Sequence, residues 1–163
     1  MMKRKTAVRG RNAKPRNGVG DISFGRLENW VGFNLRMAQE AAFQAFSRLS
    51  RDIGEHPGRF AILTLISANP GISQTTLSAA AGRDKSSMTP VLEDLVRRGL
   101  VQRHKTDSDR RAYRLSLSPA GTRTLAKMMA CARVHEGNLD RAIGPRDRVR
   151  FLRTLKRIAA SLS

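Results

Sequence analysis

The chain has 163 residues, 40% of them hydrophobic, with 31 Lys and Arg against 13 Asp and Glu and a formal net charge of +18. That length suits one domain, or a small domain with extra helices, and no apolar run approaches the roughly eighteen residues of a membrane span, which argues against an integral membrane protein. The charge excess repels itself unless an anion is near, so nucleic acid is the leading partner through counterion release, ahead of a membrane surface or mere solubility.

Residues 1–20 hold Lys3, Arg4, Lys5, Arg9, Arg11, Lys14 and Arg16 with no acid, the composition of a disordered basic arm. They lack the apolar stretch and cleavage site of a secretory signal, so a cytoplasmic location is expected. From Phe24 a helical period runs through Leu27, Val31, Leu35, Ala38, Ala42, Phe46, Leu49 and Ile53. Trp30, Phe33 and Met37 add a second apolar face. A helix that is sticky on two sides points to packing against another chain, which makes 21–54 a dimerisation helix. Gly54 ends it, Pro57 suits the first turn of the next helix, and Phe60, Leu63 and Ile66 form that helix's inner stripe as far as Asn69, Pro70 and Gly71.

The segment GISQTTLSAAAGRDKSSMTPVLEDLVRRGLVQR carries the most information. Ser73 reads as the N-cap of a short helix through Leu77 to Ala81, Gly82, Arg83 and Asp84 make a tight turn, and a second helix runs to Arg98 before Gly99 stops it. Two short helices about a Gly-bearing turn are the helix-turn-helix pattern. The strand signals LVQRHK and AYRLSLS then flank the charged KTDSDRR, a β-hairpin whose tip presents Asp107, Asp109, Arg110 and Arg111. A carboxylate there orients a guanidinium for a narrow minor groove, although Asp and Ser also suit an ordinary polar turn. Ser118 with Pro119 starts a further helix carrying Leu125, Met128, Met129 and Ala132 into the Gly137 region. Pro145 is expected to open the last helix, with Val149, Leu152, Leu155, Ile158 and Leu162 as its apolar row.

The fold expected is mainly α with a small β-hairpin wing: a winged helix-turn-helix over 55–121 between an N-terminal helix and C-terminal dimerisation helices at 122–163. Lys85, Ser86, Ser87 and Thr89, in the first turns of the second short helix, are the candidates for base edges. For Ser86 and Ser87 the competing role is capping. Arg111, with Arg110 as substitute and Asp109 as orienting partner, is the minor-groove candidate. Arg83, Arg103, Lys105 and Arg114 are candidates for phosphates, acting on affinity more than on sequence choice.

Phe60 to Leu65, GISQTTLSAAAG, MTPVLEDLVRRGLVQR and above all DSDRRAYRLSLSPAG resemble the MarR family of bacterial transcription regulators. The likeness covers about residues 24 to 162 in helix order, with its specific motifs between Ile72 and Gly121. It implies a homodimer whose terminal helices interlock and present two winged helices to a pseudo-palindromic double-stranded DNA operator. It also implies repression relieved by a small aromatic acid or its coenzyme A thioester. For such an effector, Trp30, Phe33, Met37 and Phe60 would line a pocket, with His56 or Arg59 meeting a carboxylate. Two features depart from the family pattern: the basic arm, and Pro90, which falls well inside the recognition helix if Asp84 is the cap but near its first turn if Ser86 is.

Against an enzyme stand three scattered histidines, His56, His104 and His135, and the lack of a Gly-rich phosphate loop, CxxC or HExxH. No cofactor is expected. The single Cys131 reads as a structural thiol rather than an oxidation sensor. The alternative function is a non-sequence-specific architectural binder driven by the arm and the net charge.

Overall fold

The computed structural model describes residues 22–105 and 113–162. The basic arm and the hairpin tip, with Asp109, Arg110 and Arg111, lie outside the described residues. The chain divides into two compact units, Met1–Arg36 and Met37–Ser163.

In the first unit the expected unbroken helix from Phe24 is corrected. Gly25–Asn29 form a single 3₁₀ stretch, Trp30 is extended at φ −88° and ψ 124°, and α1 (Val31–Leu49) begins only after it. The Asn34 side chain stabilises the break by donating to the carbonyl oxygens of Glu28, at 3.0 Å, and Trp30, at 2.9 Å. Phe24 packs on Phe33, ring centroids 5.5 Å apart. Spacing by threes and fours survived this change of backbone, so apolar periodicity alone did not reveal it.

In the second unit α1 ends at Leu49, where Ser50 Oγ donates to the Phe46 carbonyl at 3.1 Å. There follow α2 (Pro57–Ala68), β1 (Ile72–Ser73), α3 (Gln74–Ala80), α4 (Lys85–Arg97), β2 (Val101–Lys105), β3 (Tyr113–Leu117), α5 (Pro119–Ile143) and α6 (Arg148–Ser161). The sheet is antiparallel in the order β1-β3-β2, with Ile72 opposite Leu115 and Val101 opposite Leu117. β1 escaped the sequence reading because two residues are too few to show alternation.

One core joins these elements: Ile62, Leu63 and Ile66 of α2, Leu77 of α3, Met88, Leu92 and Leu95 of α4, Leu100, Val101 and Leu115 around the sheet, and Leu125 and Met128 of α5. The i, i+4, i+7 spacing of Met88, Leu92 and Leu95 seats one face of α4 in that core and leaves the opposite face free. α3 and α4 end alike. The Arg83 amide reaches the Ser78 carbonyl and the Leu100 amide the Leu95 carbonyl, both at 2.9 Å, around left-handed Gly82 and Gly99. That repeated stop sets the angle between α3 and α4 and the exit of β2.

α5 runs through Gly137 to Ile143, beyond the region expected for it. The last helix starts at Arg148 rather than at Pro145, which lies in a turn closed by the Asp147 amide on the Gly144 carbonyl at 3.1 Å. α6 buries no residue, and Val149, Phe151 and Leu152 are exposed on it. No described helix is long and apolar enough to cross a membrane.

Candidate nucleic-acid interface and the cavity between α1, α2 and α5

Asp84 caps α4, accepting from the Ser87 amide at 2.8 Å and from the Ser86 hydroxyl. Its carboxyl is held well below the usual carboxylate range, first by the Ser86 hydroxyl and then by the Ser87 amide. Pro90 is therefore well inside α4, which continues through it to Arg97. The cap consumes the serine protons: Ser86 donates to the Asp84 side chain and Ser87 Oγ to the Asp84 carbonyl at 3.1 Å. Each hydroxyl keeps lone pairs that accept, whereas Lys85, exposed beside them, spends none of its ammonium donors among the described residues.

Thr89 donates to the Lys85 carbonyl and accepts from Gln74 Nε2, both at 2.8 Å. Gln74 at the start of α3 thus fixes a side chain of α4. Sequence reasoning missed it, because one Gln among Ser and Thr carries no spacing signal.

The phosphate candidates are distributed over the same unit. Arg83 is exposed, and its Nη2 lies where a Cβ on Gly58 would approach to 3.2 Å. Arg103 stands opposite Leu115 and Lys105 opposite Tyr113 in the ladder. Arg114 Nη1 donates to the Gly71 carbonyl at 3.1 Å, tying the strand to the turn before β1, so part of its capacity is structural.

The residues named for an effector pocket have different surroundings. His56 caps α2, its Nδ1 accepting from the Gly58 amide at 3.3 Å while its ring packs on Phe43 at 4.9 Å. Arg59 spans two carboxylates, Glu55 at 3.1 Å and Asp94, which occupies both ends of its fork. Trp30, 58% exposed, and Phe33 belong to the first unit, and Met37 is half-buried. Phe60 does line a cavity, of about 570 Å³, together with Phe46, Met129, Ala132, Arg133, His135, Glu136, Gly137 and Asp140.

That cavity is apolar at Phe46 and Phe60, whose rings meet edge to face at 5.3 Å. Its acids are neutralised by Arg148, at 2.6 Å from Asp140 and 3.8 Å from Glu136. Arg133 is exposed and makes no ion pair among the described residues. His135 stacks on Phe46 at 5.4 Å, and its Nδ1 is buried without a hydrogen-bond partner among the described residues. Cys131 is half-buried and donates from Sγ to the Leu49 carbonyl at 3.1 Å.

The family model of MarR matches residues 56–113. A transcriptional regulatory protein for the hcr operon of Thauera aromatica is 31% identical over 153 residues, 93% of this chain and 92% of that protein. Among solved structures, the transcriptional repressor CouR bound to a 23-mer DNA duplex aligns with a TM-score of 0.80 at 31% identity, covering 85% of this chain and 99% of its own. CouR bound to p-coumaroyl-CoA aligns at 0.78 and 29%, over 85% and 98%. With this likeness extending over the terminal helices as well as the wing, the chain belongs to the MarR family of transcriptional regulators.

Proposed function

We propose that the chain is a homodimeric, sequence-specific repressor that leaves a pseudo-palindromic operator when a small aromatic acid or its coenzyme A thioester enters the α1–α2–α5 cavity. The observation that carries this reading is the free face of α4, where Lys85, Ser86 and Ser87 stand exposed around a built N-cap. The similarity to CouR, solved with DNA and with p-coumaroyl-CoA, supports both halves. Exposed apolar side chains on α6 (Val149, Phe151 and Leu152) and, in the first unit, Ile22, Trp30 and Val31 support a second copy as their cover.

The cavity's volume falls in the range of small-molecule sites. Phe60 lines it, and neighbouring Arg59 is tied to Asp94 on α4, so movement of α2 has a lever on the recognition helix. Arg110, Arg111 and Asp109 are proposed for the minor groove at the wing, and Arg83, Arg103, Lys105 and Arg114 for phosphates.

Genome-wide footprinting followed by competition gel shifts tests the proposal. An operator-specific regulator prefers its site over scrambled duplex by about a thousandfold or more, while an architectural binder shows little preference. Arg111→Ala is expected to weaken operator binding about tenfold with the dimer intact. A monomer at micromolar concentration, or equal affinity for scrambled DNA, overturns the reading.

A further inference from the structure

Resting on the operator-binding reading above, we infer that Gln74 of α3 is a specificity-determining residue, reading an adenine in each half-site with a side-chain amide that Thr89 of α4 holds in place. Thr89 Oγ1 lies 2.8 Å from the Lys85 carbonyl oxygen, and a carbonyl only accepts, so the Thr89 proton is committed there. The 2.8 Å bond between Thr89 and Gln74 must then take its proton from Gln74 Nε2, which fixes the orientation of the amide. Thr89 has no hydrogen left to give a base. Its methyl group and one lone pair remain.

Gln74 keeps what Thr89 has spent. An amide carries two donor hydrogens and one carbonyl acceptor. One hydrogen goes to Thr89, while the second and Oε1 have no partner among the described residues. The buried side-chain atoms without a partner among those residues are Ser78 Oγ and His135 Nδ1, so Oε1 of half-buried Gln74 meets solvent. The bond to Thr89 spans 15 positions and brings the amide to the second turn of α4, one turn on from exposed Lys85. One donor beside one acceptor is the pattern that adenine answers in the major groove, N7 accepting and N6 donating, with Gln as its bidentate partner. Guanine presents two acceptors there and cytosine a donor alone, so neither satisfies both ends of the amide. A side chain already tethered loses less freedom on binding, which sharpens its choice. The competing role for a polar group at this place is a phosphate contact, which carries no sequence information.

The test selects sites for the full chain from randomised duplexes, then titrates single-base-pair variants of the selected site by fluorescence anisotropy. At one position of each half-site the wild type is expected to prefer A·T by about tenfold or more, and Gln74→Ala to reduce that preference to about twofold or less while other positions keep theirs. Gln74→Glu, which only accepts, is expected to shift the same position toward cytosine, whose N4 amino group donates. Thr89→Val removes the anchor and is expected to weaken the adenine preference without abolishing it. Thermal melting checks that each variant is folded; if Gln74→Ala does not fold, Gln74→Glu stands in its place. Equal losses for Gln74→Ala on selected and scrambled duplexes assign Gln74 to a phosphate and overturn the inference, as does a pattern of preference that Gln74→Ala leaves unchanged. An adenine preference that survives Gln74→Ala but vanishes in Thr89→Val overturns it too. These outcomes leave the operator reading standing. A wild type that selects no sequence overturns that reading, and the inference with it.

Discussion

The α carbon of Gly121 sits so close to the carbonyl oxygen of Leu100 that a Cβ placed there would lie 2.0 Å from that oxygen. The approach follows from the motif around it. Ser118 donates to the Gly99 carbonyl and accepts from the Gly121 amide at 2.9 Å, while the Ser118 amide reaches the Leu100 carbonyl at 3.0 Å. The first turn of α5 is thereby clamped to the exit of α4, which is the physical content of the LSPAG motif. Gly121→Ala is expected to destabilise the fold by about 3 kcal/mol or more, since a backbone neighbour cannot rotate aside. Gly137→Ala, in the same helix with nothing within 4 Å of the added carbon, is expected to be stabilising by up to about 1 kcal/mol. Urea unfolding of the two variants checks the opposite signs.

Glu55 is the second clamp. Its side chain is 2% exposed and is met by Arg59 at 3.1 Å and by Arg98 through both guanidinium nitrogens, joining the turn that leads into α2 to the end of α4. Glu55→Ala takes from Arg59 and Arg98 one of the two carboxylates each meets, leaving both with Asp94, whereas breaking a fully buried pair outright costs about 3–5 kcal/mol. Because the arginines are 25% and 35% exposed and can turn to water, about 2 kcal/mol is expected. Arg97→Ala, removing a 78% exposed partner of Asp94, is expected to change stability by less than about 0.5 kcal/mol. The pair of denaturation midpoints decides whether burial or the number of ion pairs sets the energy.

These two clamps separate what the sequence discloses from what it does not. The caps Ser73 and Ser118, the stops at Gly82 and Gly99 and the strand alternation were legible, because each is a local rule acting over a few residues, whereas Asp84 and Ser86 competed for the cap of α4 until the structure gave it to Asp84. The break at Trp30 was not, since it depends on the Asn34 side chain satisfying two carbonyls while the apolar spacing continues. The effector residues show the limit most clearly. His56 and Arg59 have the right chemistry for a carboxylate, yet a cap and two acids 4 and 35 positions away already occupy them. The partners that decide a side chain's availability are distant in sequence, and Gln74 and His135 went unassigned for the same reason.

Acid titration reports on the cap and the ion network. Asp94, like Asp84, has its carboxyl lowered: desolvation pushes it up, but the hydrogen bond from Arg97 and the charges of Arg59, Arg97 and Arg98 outweigh that. For a group whose folded value lies below its unfolded one, the unfolded state binds more protons between the two values, so stability falls as pH falls. The contribution of both residues is therefore complete above the ordinary carboxylate value of 3.8 and is lost progressively below it. Asp84→Asn keeps a competent cap without the titration. Its thermal midpoint is expected to match the wild type near neutral pH and to fall less steeply through the acid range; an unchanged acid slope would detach the Ser86 and Ser87 bonds from stability.

Lys85 and Arg83 stand two residues apart, yet they are expected to fail differently when removed. Lys85 follows the Asp84 cap at the first position of α4, exposed, its ammonium without a hydrogen bond or ion pair among the described residues, at the kind of helix end that in helix-turn-helix proteins enters the major groove. Arg83 sits in the turn before the cap, with its guanidinium near Gly58 at the start of α2, outside the helix proposed to read bases. Lys85→Ala is expected to cost about 1–3 kcal/mol on the operator, little on scrambled duplex, and to relax the preference at one base position of each half-site. Arg83→Ala is expected to weaken both duplexes alike and to lower the slope of log affinity against log salt by about 1. Salt-series titrations of the two variants on operator and scrambled DNA make the distinction: equal losses for Lys85→Ala on both duplexes would move base reading away from the start of α4, and to Thr89 or the wing.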